Sequence, residues 1–159
     1  MLTPQQLTAL KADILADPTL AAWAATGRMA QEIADAYNAP ASPAWTVWRS
    51  SVAADEWRNA IIGGGGAAQL DALPASKRDS LLWAVSDVLN PSNANVRTAL
   101  NDFCGSQAVL KETIVAVQKR SANRGEKLFS TGTGTVAAPA TMSFEGSLTY
   151  PDVEAALAS

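Results

Sequence analysis

The chain has 159 residues, 48% of them hydrophobic and 17% charged, a composition typical of one ordinary soluble domain. Because 12 Lys and Arg residues stand against 15 Asp and Glu residues, the net charge of −3 excludes the broad basic surface that sequence-independent DNA binding requires. The sequence has no histidine and one cysteine, which excludes Ser-His-Asp and Cys-His catalytic systems, His-containing zinc sites and an intramolecular disulfide.

Hydrophobic spacing predicts two helices in the first 40 residues, the second of which is weakened at Gly27 and resumes until Asn38 and Pro40. Thr3, Pro4 and Gln6 have the spacing of a capping box with a helix-initiating proline, so the first helix is expected to begin there and to end at Asp17. Asp17 is also placed to cap the second helix. The apolar positions expected on the inner faces of these two helices are Leu7, Leu10, Ile14, Leu15, Leu20, Trp23, Met29, Ile33 and Tyr37.

A further short helix is predicted after residue 43, because Trp45 and Trp48 lie three residues apart and can share one helix face. Residues 53–62 are predicted to form the next helix, with Trp57 directed inward. Four consecutive glycines, residues 63–66, then end it. No strand precedes these glycines and no Gly-Lys-Ser/Thr motif follows, so they are interpreted as a link between helical segments and not as a phosphate-binding loop.

Three further helices are predicted in the second half of the chain. The first follows Ser76 and has a wide apolar face with Trp83 on its flank. The second begins at Asn93 or Asn95 and ends at Gly105, and the third opens after residue 106. Their apolar positions are Leu81, Leu82, Val85, Val88 and Leu89 in the first, Val96, Leu100 and Phe103 in the second, and Leu110, Ile114 and Val117 in the third.

Positive charge is concentrated in residues 111–127. If the last of these helices runs through Gly125, then Arg120, Arg124 and Lys127 lie on one face as a basic ridge. A solvated helix face explains such a ridge, and so does contact with an acidic partner subunit or a nucleic-acid backbone. A protein partner is favoured, because no aromatic residue lies among these charges to stack on bases. The predicted contact residues are Lys111, Lys119, Arg120, Arg124 and Lys127.

Residues 130–159 differ in composition from the rest of the chain. Gly, Thr, Ala and Pro dominate residues 130–140, and weak alternation over residues 141–144 and 147–150 is compatible with a short β-hairpin. The sequence therefore predicts an all-α small helical bundle over residues 1–129 and an extended C-terminal arm over residues 130–159. Five large apolar residues favour contacts between this arm and a neighbouring subunit over a disordered tail. They are Phe129, Met142, Phe144, Leu148 and Tyr150.

No pattern of residues indicates catalysis. Asp55 and Glu56 adjoin in sequence and so point about 100° apart on a helix, which does not suit an acid–base pair. Cys104 is expected to be a small buried hydrophobe. No enzyme activity, cofactor, metal site, secretory signal or membrane-spanning segment is predicted. The tryptophans are expected to pack in the core and not to line a sugar platform; they are Trp23, Trp45, Trp48, Trp57 and Trp83.

Several runs of residues resemble known proteins. Residues 43–49 (PAWTVWR) and 124–134 (RGEKLFSTGTG), with 138–141 (APAT) and 144–146 (FEG), resemble a family of small proteins encoded in tailed bacteriophages and prophages. The similarity extends to the opening residues 2–11. The resemblance implies a virion or assembly protein, made in the host cytoplasm, and it assigns no catalytic residue.

Size, predicted helices, the basic ridge and the arm together favour a head-to-tail connector subunit. Copies of this adaptor are expected to form a homo-oligomeric ring beneath the portal, joined by their C-terminal arms. Portal and tail proteins are the expected partners, with passing DNA as a further contact of the basic residues. The alternatives are a tail, fibre-attachment or decoration protein of the same virion, and a non-structural assembly chaperone.

Overall fold

The computed structural model describes residues 1–27 and 29–159, which contain ten helices and four short strands. Helices account for 57% of the structure, so the predicted all-α class with a short hairpin is confirmed. β1 pairs with β2, and β3 pairs with β4. The helices are α1 (Pro4–Ala16), α2 (Pro18–Ala25), α3 (Ala30–Asn38), α4 (Ala54–Gly63), α5 (Ala67–Asp71), α6 (Ala75–Ala84), α7 (Ala94–Cys104), α8 (Ala108–Val117), α9 (Arg124–Leu128) and α10 (Tyr150–Ala158). The strands are β1 (Thr46–Trp48), β2 (Lys119–Ser121), β3 (Ser130–Thr131) and β4 (Thr141–Met142).

The chain folds into two compact units. Unit 1 comprises residues 1–47 and 121–159, and unit 2 comprises residues 48–120. This division differs from the expected one into residues 1–129 and 130–159. The reason is that residues 130–159 pack on the N-terminal helices and complete the core of unit 1.

Unit 1 is built on helices whose starts are locally encoded. The Thr3 side chain accepts a hydrogen bond from the Gln6 N–H at 3.3 Å, and the Gln6 side chain accepts one from the Thr3 N–H at 2.9 Å, as the capping box predicts. The Asp17 carboxylate caps α2 by accepting hydrogen bonds from the backbone N–H groups of Thr19 and Leu20 at 3.0 and 3.3 Å. α10 packs against both α1 and α3. The buried core includes Leu10, Ile14, Leu20, Ile33, Tyr37, Phe129, Leu148 and Val153.

Unit 2 is a smaller helical cluster around Trp57. α4 packs on α8, α6 packs on α7, and α7 and α5 also contact α8. The Trp57 side chain is fully buried, and its indole N–H donates to the Val52 carbonyl at 3.2 Å. Cys104 is a buried free thiol, as expected. The buried core includes Val52, Trp57, Ile61, Leu73, Leu81, Val85, Leu100, Leu110 and Ile114.

The helix predicted around Trp45 and Trp48 is wrong, because this segment forms β1. The Thr46 N–H donates to the Gly134 carbonyl at 2.7 Å, and the Thr46 carbonyl accepts from the Ala140 N–H at 2.9 Å. Backbone groups that bond residues nearly a hundred positions away cannot also close a helical turn. The two tryptophans therefore do not share a helix face.

The helix predicted to open after residue 106 does not run through Gly125, as the proposed basic ridge of Arg120, Arg124 and Lys127 requires. α8 stops at Val117, Lys119–Ser121 is a strand, and a new helix starts at Arg124. Asn123 caps this new helix, because its side chain accepts from the Glu126 N–H at 2.7 Å while the Glu126 carboxylate accepts from the Asn123 N–H at 3.1 Å. The Asn123–Glu126 capping box was therefore the sequence signal for a helix boundary at this point.

The C-terminal segment is folded and not an extended arm. A β3–β4 ladder pairs Ser130 with Met142 and Thr131 with Thr141, so the strand pairing lies earlier than the predicted 141–144 and 147–150 pairing. α10 follows, and its start is stabilised where the Asp152 carboxylate accepts from the Thr149 N–H at 3.0 Å. No helix in residues 1–27 or 29–159 has both the length and the apolar character needed to cross a membrane.

Candidate functional site

The five predicted basic contact residues lie on three elements. Lys111 belongs to α8, Lys119 and Arg120 to β2, and Arg124 and Lys127 to α9. The first three are in unit 2 and the last two are in unit 1. Because α8 ends at Val117, the prediction of one continuous helical ridge is wrong. The role of each residue in contacting a partner stays a prediction.

Arg124 is held inside unit 1 by two aspartates. Its Nη2 donates to Asp13 Oδ2 and its Nη1 to Asp17 Oδ2, each at 3.0 Å. The guanidinium carbon lies 4.6 Å from the centre of the Tyr37 ring, and the Tyr37 hydroxyl donates to Asp13. One cation thus ties α9 to the end of α1 and the start of α2, so Arg124 is not available as an exposed ridge residue.

The contacts of this cluster shift the pKa values of Asp17, Arg124 and Tyr37. The backbone N–H of Leu20 and then the Arg124 guanidinium hold the pKa of Asp17 below its ordinary value. Burial lowers the pKa of Arg124, but the hydrogen bonds to Asp13 and Asp17 outweigh it and raise that pKa. Burial and the Asp13 hydrogen bond raise the pKa of Tyr37. All three groups keep their neutral-pH charge state, which suits a structural tie and not proton transfer.

Lys127 lines a cleft together with Asp13, Asp17 and Arg124. Its Nζ is 5.2 Å from the centre of the Trp45 ring and 3.4 Å from the Ser42 carbonyl oxygen. The Trp45 indole N–H donates to the Ser130 hydroxyl at 2.9 Å. The two runs that carry the phage resemblance therefore meet at Trp45 in unit 1.

The cleft between these groups has a volume of about 670 Å³ and is lined by both signs of charge. Asp13 and Asp17 already share Arg124, and both aspartates are about one-third exposed. A ligand would have to displace these paired charges, so the arrangement serves to hold α1, α2 and α9 together. Among the described residues, no group of three or more His, Cys, Asp or Glu side chains is placed to hold a metal ion.

Unit 2 carries a different kind of surface, which is apolar and exposed. The Trp83 side chain is 78% exposed and that of Val88 58%, and both line a groove of about 360 Å³ between the end of α6 and α7. The groove wall includes Leu89, Val96 and Phe103. An exposed tryptophan beside an apolar groove is typical of protein–protein contact surfaces.

Part of this surface lies beyond the end of α6. The predicted helix continued through Leu89, but α6 stops at Ala84, and Val52 and Leu89 pair through two backbone hydrogen bonds of 2.9 and 3.1 Å. Val85 faces the core, whereas Leu82 and Val88 are exposed. The predicted apolar face was too wide for one helix to bury, and that excess width was the sequence signal for the surface.

No family model, curated protein or solved structure matches the chain. Function is therefore inferred from the geometry of the two units and from the resemblance of the sequence.

The tryptophan and arm predictions have mixed outcomes. Trp57 is fully buried and Trp23, Trp45 and Trp48 are half-buried, but the prediction that Trp83 packs in the core is wrong. Four of the five large apolar residues of the C-terminal segment pack inside unit 1. Phe129 and Leu148 are buried, Met142 and Phe144 are half-buried, the Phe129 and Phe144 rings pack edge to face at 5.6 Å, and Tyr150 is 43% exposed.

Proposed function

We propose that this chain is a non-catalytic structural subunit of a tailed-bacteriophage particle. Copies of it form an adaptor ring at the head-to-tail junction beneath the portal, with portal and tail proteins as neighbours. The phage assignment rests on the resemblance of residues 43–49 and 124–134. The observation that carries a role in assembly is the exposed Trp83 beside the apolar groove of unit 2.

An exposed apolar surface of this kind supports assembly because water leaves it when a partner binds. Tryptophan is enriched among the residues that contribute most to binding, and such residues sit next to well-packed pockets. Burying apolar surface contributes about 25 cal/mol per Å², so an indole and its groove are sufficient for a binding hot spot. The proposal therefore places the assembly contact on unit 2 and not on the C-terminal segment.

The charged groups whose surroundings are best defined have structural partners, which supports a non-catalytic role. Arg49 Nη2 donates to both carboxylate oxygens of Glu56 at 2.8 and 2.9 Å, and Glu56 also accepts from the Ala53 N–H at the start of α4. The buried Glu126 carboxylate accepts from the N–H groups of Asn123 and Gly146. Each carboxylate fixes a turn or a helix start.

The predicted DNA or acidic-partner contact is retained for α8 and β2. Lys111, Lys119 and Arg120 lie close together in sequence at the end of unit 2 and are half-buried. In an adaptor ring these residues face either an acidic neighbouring subunit or the passing DNA. The protein is expected in the virion after synthesis in the host cytoplasm.

Electron microscopy of lysates from phage with this gene disrupted tests the proposal, together with mass spectrometry of wild-type particles. We expect DNA-filled or leaking heads separated from tails, and the protein present in wild-type particles at a fixed copy number. Complementation with Trp83→Asp should fail, whereas Leu15→Asn, which changes an exposed apolar residue of unit 1, should restore particles. Intact particles that lack the protein would refute the structural role and identify a non-structural chaperone instead.

A further inference from the structure

We infer that the ring contact joins unit 2 of one copy to unit 2 of the next, with the exposed end of α4 seated in the groove beside Trp83. The α4 surface is centred on Arg58 and Ile62, and the groove surface on Trp83, Asp87 and Val88. This inference rests on the proposed function, because a ring requires a second copy of this chain as the occupant of the groove.

The groove fits an aliphatic side chain with a positive charge beside it. Its volume of about 360 Å³ lies within the 300–1,000 Å³ range of sites that bury a ligand. Val88, Val96 and Phe103 supply apolar wall, and Asp87 is the charged residue among those that line it. One Asp87 carboxylate oxygen accepts from the neighbouring Val88 N–H at 2.7 Å. This bond leaves the carboxylate charged, so the groove carries a negative charge.

The end of α4 offers the matching groups. Ile62 is 71% exposed. The next residue, Gly63, borders open space, since a Cβ added to it would meet nothing within 4 Å. Arg58 lies one turn before Ile62, so both side chains are on the same face of α4. An exposed isoleucine with an arginine one turn away therefore forms a projecting surface of the required chemistry.

Charge complementarity favours this occupant. Within residues 1–27 and 29–159, Arg58 makes no ion pair with an acidic side chain and Asp87 makes none with a basic one. When Ile62 enters the groove of another copy, Arg58 is brought towards Asp87, and each charge gains an opposite partner. Two grooves facing each other would bring Asp87 against Asp87, and like charges in an interface are unfavourable.

The contact also has the symmetry that a ring needs. The α4 surface and the groove are different surfaces of the same unit. When two copies dock, one copy keeps an unoccupied groove and the other an unoccupied α4 surface, and further copies can bind to both. Such heterologous contacts close into rings when the rotation between copies permits, whereas a groove-to-groove contact stops at a dimer.

Sedimentation equilibrium of the full chain, from micromolar to about 1 mM, measures self-association directly. We expect reversible species larger than a dimer for the wild type. Ile62→Asn and Trp83→Asp should each weaken association about tenfold or more. Leu15→Asn is the matched control, since Leu15 is also the second-last residue of its helix and is 55% exposed, and it should associate like the wild type.

Two further measurements identify the contact itself. Arg58→Asp and Asp87→Arg should each weaken association, and the double variant, which exchanges the two charges, should recover most of it. A mixture of Ile62→Asn with Trp83→Asp should form one-to-one dimers and nothing larger, because only one functional α4 surface then meets one functional groove. Circular dichroism confirms that each variant is folded.

A wild type that stays monomeric to about 1 mM would overturn the inference. So would an Ile62→Asn variant that associates like the wild type, or a charge exchange that recovers nothing. Each of these results leaves the proposed function untouched as long as mass spectrometry finds the protein in particles. Absence from particles would refute the proposed function whatever the association constants are.

Discussion

Replacement of Arg124 by alanine should destabilise unit 1 by about 2–3 kcal/mol. The variant loses two charge-assisted hydrogen bonds of 3.0 Å and a guanidinium stacked 4.6 Å from the Tyr37 ring. Hydrogen bonds to charged groups contribute about 1.5–3 kcal/mol each when buried, and a cation over a ring about 0.5–1 kcal/mol. Because the Arg124 side chain is 32% exposed, solvent screening reduces the loss below the roughly 3.5 kcal/mol that the lower limits of those ranges give together.

Urea denaturation followed by circular dichroism measures this loss, and hydrogen exchange read by mass spectrometry locates it. We expect faster exchange in peptides of α1, α2 and α9, and a fall of about 5–10 °C in Tm. Arg124→Lys should recover only part of the stability, because an ammonium cannot form the bidentate arrangement with Asp13 and Asp17.

Arg58→Ala is the control for removal of an arginine, because Arg58 is exposed and belongs to unit 2. It should change the free energy of unfolding by no more than about 0.5 kcal/mol. A loss below about 1 kcal/mol for Arg124→Ala would refute the reasoning and place the cluster among ordinary surface ion pairs.

Three other substitutions have defined outcomes. Gly134→Ala should lower the free energy of unfolding in urea by about 3 kcal/mol, because Gly134 has φ +63° and an added Cβ would lie 2.1 Å from the Trp45 ring. The control Gly63→Ala should cost nothing, since no atom lies near the position of its Cβ. Equal stability of the two variants would contradict the close packing at Gly134. Asp17→Asn keeps the cap of α2 but loses the charge. Since the folded-state pKa of Asp17 lies below the ordinary value of 3.8, its carboxylate stabilises the fold at neutral pH, and this stabilisation disappears as pH falls below about 4. Urea midpoints measured between pH 7 and pH 2 should therefore fall less steeply for the variant than for the wild type. An unchanged slope would exclude Asp17 as a source of the pH-dependent stability. Trp57→Ala should cost about 3–5 kcal/mol and Trp83→Ala no more than about 0.5 kcal/mol, a contrast that thermal unfolding measures and that similar losses would contradict.

Much of the local structure was predictable from short runs of sequence. The Thr3–Gln6 capping box, the Asp17 cap and Gly105 after α7 are where the residues indicate. Such signals work because each hydrogen bond joins residues three or four positions apart, so the local sequence contains both partners. The mostly α-helical class follows from the same short-range patterns.

The candidate site was predicted in part. Arg124 and Lys127 were identified from charge alone, and the structure places both on one cleft, but it pairs Arg124 with Asp13 and Asp17 more than a hundred residues away. Trp83 was assigned to the core because it lies in an apolar helical pattern, but α6 buries Leu81 and leaves Trp83 exposed. Neither Asp13 nor Asp17 could be found as a partner of Arg124 by spacing along one helix.

The sequence by itself determined the starts of α1 and α2, the absence of histidine chemistry and the concentration of positive charge in residues 111–127. Only the tertiary structure decided that residues 121–159 complete unit 1, that Arg124 is neutralised within it, and that unit 2 exposes a tryptophan beside a groove. The physical reason is range. Capping depends on residues within one turn of each other, whereas burial and ion pairing depend on which distant segments the folded chain brings together.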